Sequence, residues 1–265
     1  MIRAWLAIAV WGLMLIVPGI PVLLAGFVYP SRRLIAWSSS LWARVMLAIC
    51  GVRLTVEGQE HLRDGKPKFF MGNHQSALDI PIVVLALKGD VRFMAKNTLF
   101  RSPVFGWILG RYGYVPVDRS HARVTLESLN RALDRLRRRP ISLAVFPEGT
   151  RSADGRLLPF RKGTMKICRR AGLPAVPFSI DGSYVVNPRS WLRAYPGPVR
   201  LTFGEPIPAG EVAAMSTIEL HDRVRQTIAR QLGRSHDASA EDEPLTAPEG
   251  TQGEQQRDVT AAAHP

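Results

Sequence analysis

The chain opens on a stretch with no charge and then settles into two alternating hydrophobic periods. Residues 4–29, AWLAIAVWGLMLIVPGIPVLLAGFVY, carry no charged side chain, and 13 of them are Leu, Ile, Val or Phe. As one helix they would run about 39 Å, more than the ~30 Å hydrocarbon core of a bilayer. Pro18, Gly19 and Pro21 interrupt the run, so a kinked span and a re-entrant hairpin both fit. A cleaved signal peptide fits less well, because the apolar stretch is too long and Arg3 is the only preceding base. Residues 33–50 predict a second helix, with Leu34, Trp37, Leu41, Trp42, Val45 and Ile49 towards one face. Two tryptophans beside a membrane segment suggest a helix lying in the interface; the alternative is a helix packed on the body of the protein.

From residue 53 the pattern becomes short β-rich runs: RLTVEG (53–58), KFFMG (68–72), VRFMAK (91–96), GYVPV (113–117), ISLAVF (141–146), AVPFSI (175–180) and VRLTF (199–203). Helical periodicity falls between several of them, at 77–87, 121–138 and 162–171. In 121–138 the residues Leu126, Leu129, Leu133 and Leu136 form a stripe that Pro140 closes. Strands alternating with helices predict an α/β fold, a mixed and largely parallel sheet flanked by helices, preceded by the N-terminal membrane-embedded helical segment. After about residue 234 large apolar residues nearly vanish, and the tail reads as disordered. The expected organisation is therefore a membrane-anchoring segment (1–52), one α/β domain (53–234) and an acidic tail (235–265).

Charge sharpens this picture. The formal net charge is +13, yet residues 235–265 hold seven acids against Arg257 alone, a net of −6 that leaves +19 on the first 234 residues. So basic a body calls for an anionic partner. Nucleic acid would account for the charge but not for the apolar N-terminus, which favours a phospholipid surface. Arg32, Arg33, Arg44 and Arg53 follow the apolar run while only Arg3 precedes it, so the positive-inside bias puts the α/β domain in the cytoplasm (the inner membrane, in a bacterium). The basic run RALDRLRRRP (131–140) suits anionic headgroups or coenzyme A phosphates, and equally a solvated helix end. Cys50 and Cys168 are the only cysteines and sit in no C-x-x-C or Cys/His cluster, so neither a disulfide framework nor a metal site is expected.

Two stretches carry candidate chemistry. In FFMGNHQSALDIPIV (69–83) a strand ends in the turn NHQS and a helix begins, with Ser76 the expected N-cap and Asp79 in the first turn. Such a turn can bring the Asp79 carboxylate to one imidazole nitrogen of His74 and leave the other to take a proton from a hydroxyl. By itself H-x-x-x-x-D arises often by chance, but the end of a strand is where α/β folds place their sites. The second stretch is ISLAVFPEGTRSADGRLLPFRKG (141–163), another apolar strand followed at once by Glu148, Gly149, Thr150 and Arg151. Gly149 permits close backbone approach, and Arg151 offers a planar fork for phosphate. His61, His121, His221, His236 and His264 lack a partner pattern and read as surface groups.

Together, NHQSALD and FPEGTRS resemble the signature blocks of the glycerolipid acyltransferases, the family of the 1-acyl-sn-glycerol-3-phosphate acyltransferases. GYVPVDR (113–119) resembles the block ending in a substrate-binding arginine, here Arg119, and AVPFSI (175–180) resembles a later block containing Pro177. The likeness runs from about Lys68 to Phe203. One departure is KNTL (96–99) where many relatives carry KKEL. The resemblance implies transfer of an acyl group from a thioester, on coenzyme A or acyl carrier protein, to the sn-2 hydroxyl of lysophosphatidic acid, giving phosphatidic acid. The thioester is a co-substrate, and no cofactor or metal is implied. His74 and Asp79 would be the general-base pair. Arg119, Glu148, Gly149, Thr150 and Arg151 would bind the acceptor, with Glu148 either bonding the glycerol hydroxyl or holding Arg151. No G-x-S-x-G elbow is present, so direct transfer is expected rather than a serine acyl-enzyme. Another lyso-lipid acceptor, such as lyso-ornithine lipid, is the alternative, and a non-catalytic lipid-binding protein a remote one.

Overall fold

A computed structural model of the chain describes residues 31–117, 141–188 and 194–233. Within them a seven-stranded sheet forms from β1 (Val52–Glu57), β2 (Phe69–Gly72), β3 (Val91–Lys96), β4 (Val115–Val117), β5 (Ser142–Val145), β6 (Ala175–Asp181) and β7 (Gly197–Phe203), in the spatial order β1-β7-β6-β2-β5-β3-β4. Every neighbouring pair is parallel except β6 with β7. The sheet is thus mixed and largely parallel, as expected, and each expected strand is present to within about two residues at its ends.

Burial explains the order. β2 and β6 are buried on both faces, whereas β1 at the edge alternates between half-buried and exposed positions. Parallel central strands covered on both sides read as continuous apolar runs, and this is why FFM and AVPFSI lack alternation. On one face, Phe70, Ala144, Val176, Phe178 and Ile180 pack under α1 (Arg32–Ile49) and α2 (Asp79–Ala86). On the other, Phe69, Met71, Leu143 and Ala175 pack with Met165 and Cys168 of α4 (Lys162–Ala171) and with Leu220, Val224 and Ile228 of α7 (Thr217–Gln231). The remaining helices are α3 (Pro103–Tyr112), α5 (Ser183–Val186) and α6 (Ala209–Ala214).

Helix α1 begins at Ser31, whose side chain accepts from the Leu34 amide, and its packing corrects the single apolar face read from the sequence. Ile35, Ala43, Met46 and Leu47 are the buried side, with Ser38 hydrogen-bonded to the Tyr112 hydroxyl at 3.2 Å. Trp37, Leu41, Val45 and Ile49, one turn apart along the opposite side, are exposed. The helix is therefore both packed on the domain and apolar on its outer face. Residues 4–29, Arg119, the helix expected at 121–138, the basic run 131–140 and the acidic tail lie outside the described residues. Among the described residues, no helix is long and apolar enough to cross a membrane.

Helices α3 and α7 were not expected from periodicity, though both carry local signals. α3 has Pro103 at its start and ends at Gly113, whose φ of 76° is the left-handed conformation glycine adopts freely. α7 starts with a full capping box between Ser216 and Glu219.

Candidate active site

The site forms where β2 and β5 end side by side. Their register pairs Phe69 with Leu143 and Met71 with Val145, a constant offset that, carried three residues further, sets His74 against Glu148. The His74 amide accordingly donates to Glu148 Oε1 at 2.9 Å. Two loops that looked independent in sequence are thus locked together by sheet pairing.

The turn after β2 is held from several directions. Asn73, fully buried, lies beside β6 like an extra strand residue: its Nδ2 donates to the Ile180 carbonyl at 2.9 Å and its Oδ1 accepts from the Ile180 amide at 2.7 Å. Gly72 has to be glycine, because a Cβ there would sit 2.1 Å from the Phe178 ring. Gln75 donates to the Gly155 carbonyl at 2.7 Å, and the Ser152 amide donates to the His74 carbonyl at 2.8 Å, binding this turn to the loop after β5. Ser76 does not cap α2 as expected. That helix starts at Asp79 with Leu78 before it. Ser76 Oγ instead accepts from the Leu78 amide at 3.0 Å and donates to Asn187 Oδ1 at 3.0 Å, which ties the turn to the segment after α5.

Asp79 is fully buried, and its Oδ2 collects three donors: His74 Nδ1 at 2.7 Å and the amides of Gln75 and Ser76 at 2.7 and 2.8 Å. A carboxylate can only accept, so Nδ1 carries the hydrogen and Nε2 is left as the basic nitrogen of a neutral ring. The imidazole lies flat on Phe146, with ring centroids 4.1 Å apart and planes 10° from parallel. Ring plane and tautomer are both fixed. The His74 side chain remains 16% exposed, so the dyad is reached from solvent by its histidine and not by its aspartate.

The loop after β5 supplies the other side. Gly149 adopts a φ of 68°, a left-handed conformation that favours glycine, and the exposed Arg161 side chain lies over it, its Nε 2.4 Å from where a Cβ would stand. The Gly149 amide donates to the Phe146 carbonyl at 3.0 Å. Thr150 is exposed and Arg151 half-buried. Glu148 is 3% exposed, and its Oε2 makes no hydrogen bond. Burial pushes its carboxyl up to about 8, against the downward pull of the His74 and Leu158 amides and with a smaller upward push from Asp79. Arg225 of α7 also pulls it down.

The structure brings His74, Asp79 and Glu148 together, with Gly149, Thr150 and Arg151 continuing from Glu148. Sequence reading missed Asn73, Gln75, Phe146, Asn187 and Arg225. Asn73, Gln75 and Phe146 lie within the two quoted stretches, but their partners are set by the sheet. His221, read as a surface group, is buried against Phe160, its ring 5.7 Å away at 77°. Among the described residues no group of three or more His, Cys, Asp or Glu is placed to hold a metal ion.

A family model described as Acyltransferase matches residues 53–181. The 1-acyl-sn-glycerol-3-phosphate acyltransferase of Limnanthes douglasii is 31% identical over 198 residues, 74% of this chain and 67% of that protein. The chloroplastic 1-acyl-sn-glycerol-3-phosphate acyltransferase BAT2 of Brassica napus is 36% identical over 151 residues, 57% of this chain and 43% of that protein. With the Cocos nucifera protein of the same description matched over 53% of its length, the chain spans about half of such relatives. In fold, it is similar to the crystal structure of the 1-acyl-sn-glycerophosphate (LPA) acyltransferase PlsC from Thermotoga maritima, with a TM-score of 0.73 at 24% identity, covering 88% of this chain and 94% of that one.

Proposed function

This chain belongs to the acyltransferase family, and we propose that it transfers a fatty acyl group from an acyl thioester to the sn-2 hydroxyl of lysophosphatidic acid, giving phosphatidic acid. The observation that carries the reading is the imidazole of His74, bonded to buried Asp79 through Nδ1 and stacked on Phe146. A free hydroxyl is a weak nucleophile at neutral pH, and a positioned base contributes about 10²–10⁴-fold. His74 Nε2 takes the hydroxyl proton as the oxygen attacks the thioester carbonyl carbon. The tetrahedral oxyanion then collapses, the C–S bond breaks, and the departing thiolate takes the proton from His74. The new ester and the free thiol are the products. Asp79 holds the tautomer that makes this possible and stabilises the transient imidazolium.

The acceptor's phosphate suits Arg151 and Arg119, each charged hydrogen bond contributing roughly 1.5–3 kcal/mol. Glu148, Gly149 and Thr150 form the wall beside it, with Glu148 holding the His74 amide. The donor is an acyl-CoA or acyl carrier protein thioester. The substrates are lipids, so the enzyme works at a membrane surface, attached through residues 4–29 with the domain on the cytoplasmic side. The exposed Trp37, Leu41, Val45 and Ile49 of α1 support work at a membrane surface.

The test is transfer from radiolabelled acyl-CoA by the full chain in detergent, with lysophosphatidic acid, lyso-ornithine lipid and lysophosphatidylglycerol as acceptors and His74→Ala in parallel. Labelled phosphatidic acid that disappears in the variant is the expected result. Product from another acceptor alone would keep the chemistry and replace the substrate. Silence with every acceptor, using either acyl-CoA or acyl carrier protein, would refute the catalytic reading.

A further inference from the structure

Helix α7 lies beyond the residues matched by the family model, yet it reaches the site. We propose that Arg225 is a positioning residue: together with His221 it clamps the segment Leu158–Phe160 against Glu148 and so sets the loop that faces His74. This rests on the reading of His74 and Glu148 given above.

Arg225 is 3% exposed, and its Nη1 donates to the Leu158 carbonyl at 2.8 Å. Its guanidinium carbon stands 5.4 Å from the centroid of the Phe160 ring. His221, one turn earlier on α7, meets the same ring edge-on and holds Asp222 through Nδ1 at 2.9 Å. Phe160 is thus contacted by two side chains of one helix face. That helix is itself anchored, because Leu220, Val224 and Ile228 are fully buried in the core beneath β2 and β6. Leu158 is the link: its carbonyl accepts from Arg225, and its amide faces the Glu148 carboxyl.

The residue type fits the role. A guanidinium donates in a fixed plane and stacks on an aromatic face at once, which an ammonium cannot do. A buried cation also acts on its surroundings, and Glu148 is the nearby acid it favours in the charged form. Among the described residues, the other groups facing Glu148 are the amides of His74 and Leu158 and the carboxylate of Asp79; Arg161 lies over the adjoining Gly149. Charged, Glu148 holds the His74 amide more tightly than when neutral. Through two contacts, then, the C-terminal helix governs the turn that carries the histidine.

The experiment is an infrared titration of the full chain in detergent, following the carbonyl stretch of protonated carboxyl groups. The band lost in Glu148→Gln assigns Glu148. In Arg225→Met its midpoint should move alkaline, and in Arg225→Lys it should move less, since lysine keeps the charge though not the planar fork. Transfer by Arg225→Met should lose about tenfold in kcat with the thioester KM unchanged. A Glu148 midpoint unmoved in folded Arg225→Met would overturn the proposal, as would a lysine variant no better than methionine. Should Arg225→Met fail to fold, Phe160→Leu substitutes: it loosens the clamp and should move the midpoint the same way by a smaller amount, and an unmoved midpoint there overturns the proposal equally. The titration needs no acyl transfer. A shifted midpoint in a chain inactive with every acceptor would therefore count against the proposed reaction and not against the clamp.

Discussion

Replacing Asp79 by Asn is the most informative single change to the dyad. The side chain keeps its shape, so the fully buried site need not repack. What changes is the acceptor. Oδ2 now takes three donors, at 2.7, 2.7 and 2.8 Å. A hydrogen bond to a charged acceptor contributes roughly 1.5–3 kcal/mol and a neutral one roughly 0.5–1.5. With its amide oxygen facing the donors, the asparagine therefore forfeits about 1 kcal/mol per bond, on the order of 3 kcal/mol for the turn. In the proposed reaction it also loses the charge that would stabilise the imidazolium formed as the hydroxyl is deprotonated. Expressed as a rate, loss of an oriented base corresponds to about 10²–10⁴-fold, or roughly 3–5 kcal/mol of barrier. Transfer to lysophosphatidic acid should show kcat reduced by that factor, while KM for the acceptor stays within about threefold, because Asp79 is fully buried. The double variant with His74→Ala should be no slower than His74→Ala alone, since the two residues act as one unit. A folded Asp79→Asn protein retaining kcat within about tenfold would refute the dyad. So would a double variant whose losses multiply.

Three further outcomes test the surroundings. Burial raises Glu148 to about 8 from an ordinary 4.5, so between those values the native state holds a proton that the unfolded chain has released, and stability falls as pH rises through the window. Glu148→Gln should therefore be the more stable protein, with the difference growing between about pH 5 and about pH 9 towards an upper bound on the order of 5 kcal/mol; a pH-independent difference in urea unfolding would contradict this. Asn73→Ala strips partners from both the amide and the carbonyl of Ile180, and should lower unfolding stability by about 2–6 kcal/mol, with a loss under about 1 kcal/mol showing that β6 does not depend on that side chain. Phe146→Leu removes the ring beneath His74, a contact of about 0.5–1.5 kcal/mol; it should slow kcat by about two- to tenfold, and an unchanged kcat would mean the stack does not orient the base.

Much of this protein is written locally. The β-rich runs are strands because apolar residues with both faces to cover have few other solutions, and AVPFSI became a central strand on those terms. The dyad is local too: only four residues separate His74 from Asp79, and one turn closes the distance to 2.7 Å. Gly149 was legible for the same reason, since its φ of 68° is a backbone demand at a single position. Other elements were written locally but are easily overlooked, as with α7, whose capping box stands at its start.

What no window of sequence contains is the pairing of β2 with β5. β3 and β4 lie between them along the chain, but in the sheet β2 and β5 are neighbours. That register alone sets His74 against Glu148, slides Phe146 under the imidazole and buries the carboxyl deeply enough to raise it to about 8. Asn187 and Arg225 reach the site by the same route, from segments 111 and 67 residues beyond Ser76 and Leu158. The local energies that select a turn or a helix act over a few residues. Dielectric, ring stacking and the reach of a buried guanidinium depend on which remote surfaces the hydrophobic core draws together, and only the packed sheet decides that.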